Sequence, residues 1–161
     1  MLDKTGKETV LYSFAGKPDG GDPLAGLVRD RAGNLYGTTL YGGASDNGTV
    51  FELDKTGKET VLYSFTGGSD GASPWAGLVL DAAGNLYGTA QGGGSSDCNG
   101  GCGVLFEVDR SGKETVLYEF TNGDDGAGPV ASLIWDKAGN LYGTAEGGGA
   151  YGVGTVFKLT P

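Results

Sequence analysis

Gly84-Asn85-Leu86-Tyr87-Gly88-Thr89 is written three times in this chain, at residues 33–38, 84–89 and 139–144. The text between the copies repeats with it. Asn34 to Asn85 is a step of 51 residues and Asn85 to Asn140 a step of 55. Phe14, Phe65 and Phe120 keep the same two steps, as do Pro23, Pro74 and Pro129. The extra residues fall between Gly88 and Gly103, and this insertion holds both cysteines, Cys98 and Cys102. A period of about fifty residues marks a repeat architecture in which each unit is one small packed element.

Each unit reads as four short strands, over residues 26–29, 35–39, 49–53 and 59–65 in the first complete copy. They are rich in Val, Leu, Tyr, Phe and Thr and too short for helices. Two connections, 30–34 and 54–58, open on Asp and carry Gly three residues later, the chemistry of a type I turn followed by a Gly of positive φ. The other two, 41–48 and 67–74, are longer and Gly-rich, so both long loops lie at one end of the sheet. Val61, Tyr63 and Phe65 read as one face of the fourth strand and Leu62 as the other, which predicts a sheet covered on both faces. The Lys-Glu-Thr that begins this strand (Lys7, Lys58, Lys113) reads as charge guarding an outermost edge.

A four-stranded unit covered on both faces is a propeller blade. The fold class is therefore all-β, a β-propeller of three four-stranded blades per chain, with a β-solenoid or sandwich as the alternatives. The chain reads as one repeat domain, 1–161, with blade 1 over 15–65 and blade 2 over 66–120. Blade 3 joins 121–161 to 1–14, because residues 7–14 spell a fourth strand and 155–159 a third, so the termini complete one blade in cis or from a partner chain. Propellers typically have four to eight blades, so the expectation is a six-bladed ring formed as a homodimer, with a three-bladed monomer as runner-up.

Composition narrows the function. Gly is 34 of 161 residues against a usual ~7%, without the three-residue period of collagen. Eleven basic residues face 20 acidic ones, a net charge of −9. That balance argues against nucleic acid and against anionic membrane surfaces. No apolar run approaches a membrane span, and no charged-then-apolar leader opens the chain, which reads as a mature fragment. The absence of His excludes a Ser-His-Asp triad, a zinc-protease helix and a Cys/His zinc site. The Gly42-Gly43, 92–94 and 147–149 runs lack the Lys-Ser/Thr and helix of a phosphate loop.

Four features remain as candidates for chemistry. Cys98 and Cys102 read as a small disulfide staple across the inserted loop, with free thiols or a metal clip as alternatives. Carboxylates gather before each repeated Pro: Asp19 and Asp22, Asp70, then Asp124 and Asp125. Turn chemistry is the plain reading of these; calcium ligation and the paired acids of a glycosidase are the alternatives. The tips of the long loops carry Tyr41, Trp75, Gln91, Glu146 and Tyr151, where aromatic faces beside acids and amides suit a sugar. Trp75, aligned with Leu24 and Val130, reads equally as a packing residue beside Pro74. No cofactor is expected, calcium being the one exception entertained, and no metal site is assigned.

The blocks Ala76-Gly77-Leu78-Val79, residues 84–89, Gly48-Thr49-Val50-Phe51-Glu52-Leu53 and Val61-Leu62-Tyr63-Ser64-Phe65 resemble the GloVer-type tandem repeat of bacterial proteins. The resemblance covers nearly the whole chain. It implies extracytoplasmic display and brings no catalytic residues; an anchoring tail of the kind such proteins carry is absent here. With the cysteine pair it places the protein outside the cell or at its surface. The reading is a non-enzymatic propeller module that self-associates and binds a glycan or protein on its long-loop face, through Asp19, Asp22, Tyr41, Asp70, Trp75, Gln91, Asp125, Glu146 and Tyr151. A purely structural, self-assembling scaffold is the alternative. A carboxylate-based propeller glycoside hydrolase is the second alternative.

Overall fold

A computed structural model describes residues 6–161. Eleven strands form three antiparallel sheets, and no helix is present among the described residues. The first sheet holds β1 (Val28–Arg29), β2 (Leu35–Thr39), β3 (Thr49–Leu53) and β4 (Glu59–Ser64) in that order. The second repeats it with β5 (Val79–Leu80), β6 (Leu86–Ala90), β7 (Val104–Val108) and β8 (Glu114–Glu119). The third stops at three strands, β9 (Ile134–Trp135), β10 (Leu141–Ala145) and β11 (Thr155–Leu159), with β11 on the edge.

The hairpins follow from their turn residues. The Asp30 carbonyl accepts from Gly33 N at 3.3 Å, the Asp30 carboxylate accepts from the N–H groups of Gly33 and Asn34, and Gly33 takes φ +100°. Only glycine holds that conformation without strain. The second glycine of the repeated hexapeptide answers to packing instead. A Cβ on Gly88 would stand 2.7 Å from the Phe106 ring and 2.8 Å from Leu78, closer than van der Waals contact allows.

The core lies in the seams between sheets rather than inside any one of them. One cluster joins Val50 and Phe65 of the first sheet to Leu78, Leu86, Val104 and Phe106 of the second. A second cluster joins Tyr87 and Leu105 to Leu133 and Leu141 of the third. Each such side chain contributes about 1.5–3 kcal/mol on burial. The short first strands of neighbouring sheets approach one another, with Gly77 N donating to Ser132 Oγ at 3.0 Å.

Three expectations need correction. First, of the two ways in which the termini are expected to complete a blade, closure within the chain does not occur. Residues 7–14 form no strand beyond a single bridge at Glu8, and β11 gains no fourth neighbour. The segment instead lies on the first sheet, with Phe14 edge-on to Phe51 at 5.0 Å. Residues 1–5, assigned with it to the last blade, lie outside the described residues.

Second, the fourth strand does not alternate cleanly. Val50 pairs with Tyr63 and Phe51 with Val61, so Leu62 is a bulge with no opposite partner, and Leu117 repeats it. The extra residue resets the alternation, which puts Val61 and Tyr63 on opposite faces.

Third, the edge charge expected of the Lys-Glu-Thr run falls to the exposed Lys58 and Lys113 at the head of the outermost strands β4 and β8, and the Glu does not share it. Glu59 and Glu114 are half-buried, each with an Oε1 that has no hydrogen-bond partner.

Candidate functional site

The long loops of the three sheets meet at one end. There Gly21 bridges Tyr41, Ala72 bridges Gly92 and Ala127 bridges Gly147. These bridges place Leu40, Gln91 and Glu146 at equivalent points just beyond β2, β6 and β10. Their backbone N–H groups bond the carbonyls of Asp22, Ser73 and Gly128 at 3.1–3.2 Å. Asp22 and Ser73 hold the left-handed φ of 55° and 53° that this crossing requires, a conformation otherwise favoured by glycine.

Across the seam between the second and third sheets, Gln91 Nε2 donates to Glu146 Oε1 at 2.9 Å. The pair stands in an open cleft of about 570 Å³ that also takes in Ser73, Asn99 and Gly128. One wall is the inserted loop, closed by the Cys98–Cys102 disulfide. That wall is tied to the third sheet by Gly128 N donating to the Cys102 carbonyl at 2.9 Å, and Cys102 is buried beside Phe120 and Ala145. Glu146 is the one carboxylate among the described residues lining this cleft.

The acids before each Pro serve elsewhere. Asp70 Oδ2 accepts from the Tyr63 hydroxyl at 2.9 Å and from Thr66 N at 2.7 Å, and its Oδ1 takes the Thr66 hydroxyl and Gly68 N. Asp125 repeats the set with Tyr118, Thr121 and Gly123. Asp19 takes the Tyr12 hydroxyl and Ala15 N. Desolvation works to raise the pKa of each. The Tyr and backbone donors, with the Thr hydroxyl at Asp70 and Asp125, outweigh it and hold all three below the ordinary carboxylate value. Such carboxylates are turn anchors with little capacity left for a cation or a substrate. Among the described residues no three acidic or cysteine side chains converge to hold a metal ion.

The aromatic tips do not converge. Tyr41, Trp75 and Tyr151 stand 49, 42 and 92% exposed, and none lines the cleft. Asp22 is exposed on the first sheet and also lies off it. Of the sequence candidates, then, the structure joins Gln91 and Glu146 alone. It adds Ser73 and Asn99, which the sequence reading passed over. Ser73 had a signal, since its aligned positions read Asp22 and Gly128, and Asn99 lies in the one stretch where the copies differ in length.

Comparison with known proteins agrees with this architecture. The model of the Gloeobacter/Verrucomicrobia repeat matches residues 1–161, and the chain belongs to that family. No curated protein matches it. Among solved structures, a gluconolactonase from Xanthomonas campestris superposes with a TM-score of 0.57 at 18% identity, over 94% of this chain and 46% of that one. Another structure, assigned as a gluconolactonase, gives 0.48 at 19% identity, over 84% of this chain and 43% of that one. The chain thus spans less than half the length of either. The likeness to the Xanthomonas campestris structure establishes the propeller-like fold. It also runs against the expectation of a non-enzymatic module, because that structure bears an enzyme's name.

Proposed function

We propose that this member of the Gloeobacter/Verrucomicrobia repeat family is a propeller hydrolase that opens a sugar-derived lactone or similar ester in the cleft on its long-loop face. The observation that carries the reading is the Gln91–Glu146 pair, the one carboxylate of the cleft, held by an amide at 2.9 Å. A likeness in fold to a gluconolactonase supports the choice of reaction. Glycoside hydrolysis by the usual route needs two carboxylates facing one another across the bond, and this cleft offers one. Lactone hydrolysis needs a single base.

In the proposed step Glu146 takes a proton from water as its oxygen adds to the lactone carbonyl. The Asn99 amide faces the developing oxyanion. The ring C–O bond then breaks, the leaving alkoxide regains the proton from Glu146, and the product is a hydroxy acid. Gln91 keeps the carboxylate turned into the cleft, a positioning role. The disulfide suits an oxidising compartment, so we place the protein outside the cytoplasm.

Hydrolysis of δ-gluconolactone, followed with a pH indicator in weak buffer, tests the reading. Turnover that falls 10²–10⁴-fold in Glu146→Gln is expected of a lost general base. Rates equal to buffer for gluconolactone, for other aldonolactones and for aryl esters would sink it and return the chain to a scaffold.

A further inference from the structure

Equivalent positions of the three sheets differ sharply in exposure. Val50 and Leu105 are 0% and 1% exposed, whereas Val156 at the same place on β11 is 81% exposed. Val28 and Val79 pack against the two seam clusters, and their counterpart Ile134 is 66% exposed. Thr38 Oγ1 bonds the Ala76 carbonyl of the next sheet at 3.1 Å, while Thr144 is exposed. At the other end of the chain Leu78 and Leu133 are buried at 6% and 2%, and their counterpart Leu27 is 53% exposed. What the last sheet lacks is thus a following sheet, and what the first lacks is a preceding one.

Residues 11–14 are already set as the last strand of that missing preceding sheet. Phe14 meets Phe51 at 5.0 Å and 70°, as Phe65 meets Phe106 at 5.0 Å and 66°. The Tyr12 hydroxyl bonds Asp19 as Tyr63 bonds Asp70. The Leu11 carbonyl faces Gly57 as the Leu62 carbonyl faces Gly112. Val10, the counterpart of Val61 and Val116, is 67% exposed. Beside β11 lies an apolar groove of about 210 Å³ whose lining includes Phe120, Phe157 and Leu159. At the previous seam the matching position beside Phe65 and Phe106 is taken by Val116.

We infer that two copies of this chain join head to tail, residues 7–14 of each supplying the fourth strand of the other's β9–β10–β11 sheet and closing one six-bladed ring. Val10 then fills the partner's groove against Phe157, and Val156 packs on the partner's Leu27. A two-fold operation repeats this seam twice and leaves no edge open. The inference does not depend on the hydrolytic reading, and its test does not read activity.

Light scattering of the 161-residue chain at micromolar concentration should give twice the 16.3 kDa chain mass. Val156→Asp and Val10→Asp should each return 16.3 kDa with an unchanged circular dichroism spectrum, since both side chains are exposed in the single chain. The β7–β8 register, in which Glu107 faces Thr115, sets Lys158 against Thr9 across the new seam. A Thr9→Cys, Lys158→Cys double variant should therefore run as a covalent dimer on a non-reducing gel. A wild-type mass of 16.3 kDa would overturn the inference. So would open-ended polymers, or a disulfide joining the two introduced thiols within one chain.

Discussion

Phe65 of the first sheet and Phe106 of the second meet edge to face, ring centroids 5.0 Å apart and planes at 66°, with neither ring accessible to solvent. The pair recurs as Phe120 on Phe157 at the next seam, again with centroids 5.0 Å apart. Edge-to-face geometry sets the hydrogens of one ring on the electron-rich face of the other, worth ~0.5–1.5 kcal/mol beyond burial. Phe65→Ala should therefore cost about 3–5 kcal/mol, the range for a large cavity in a packed core. Urea unfolding at fixed protein concentration checks it, and Phe65→Leu should lose much less. A loss under ~1 kcal/mol for the Ala variant would mean that the seam repacks.

Asp136, which opens the last short turn, makes the fold sensitive to acid. Asp136 accepts from the Asn140 side chain at 2.6 Å and Asn140 N at 2.9 Å, and from Ala138 N and the Tyr142 hydroxyl. The Asn140 side chain and N–H are the largest cause, and they hold the Asp136 carboxyl well below the usual carboxylate range. Because the folded pKa is depressed, its stabilisation is present above the ordinary value of 3.8 and disappears as pH falls through the folded value. Thermal melts from pH 6 to pH 2 should show the midpoint dropping below about pH 4. Asp136→Asn should lower the midpoint at pH 6 and flatten the acid limb.

Glu114 titrates with the opposite sign. Burial, and then the Asp70 charge, raise its pKa from 4.5 to about 7. The folded state holds this proton more tightly than the unfolded chain does. The stabilisation is therefore complete below pH 4.5 and is lost as pH rises to about 7. The side chain is only half-buried, so solvent screening leaves about 1 kcal/mol of the shift. Urea midpoints between pH 4.5 and 7.5 should fall for the wild type relative to Glu114→Gln, in which the Asp70-facing charge is gone. Parallel curves for the two proteins would refute the assignment.

Much of this was legible in the sequence, because repetition supplies its own alignment. The β-branched and aromatic content of residues 35–39 and 49–53 predicts strands, and β2 and β3 have those bounds. The first strand is shorter than its pattern, Val28–Arg29 alone, because only these two residues pair with β2. The bulge at Leu62 was invisible, because alternation reports side-chain type and not which residue faces a gap.

At the site, Gln91 and Glu146 stood out because the copies differ there, with Leu40 in the first. Asp19, Asp70 and Asp125 follow the plain reading of turn chemistry, but spacing places a carboxylate near a turn without showing that its oxygens are taken by Tyr, Thr and backbone N–H groups. Asn99 could not be found from spacing, because only the folded insertion carries it to the cleft.

The insertion gives the last prediction. Cys98 and Cys102 close a ring of five residues, and the loop they close is wall to the cleft that holds Glu146. Chain-entropy arithmetic for so short a ring gives about 2 kcal/mol of stabilisation from the cross-link. A Cys98→Ser, Cys102→Ser variant should lose about that much in urea unfolding, with some further loss because Cys102 is buried against Phe120 and Ala145. Gly128 N bonds the Cys102 carbonyl, so loosening the loop also frees the third sheet's side of the cleft. The same variant should then raise KM for any turned-over lactone more than it lowers kcat, since Glu146 and Gln91 sit on β10 and β6 ends that the loop does not build. Equal stability in the oxidised and serine forms would show that the backbone bonds from Gly93 to Gly100 and from Cys102 to Ser95 hold the loop unaided.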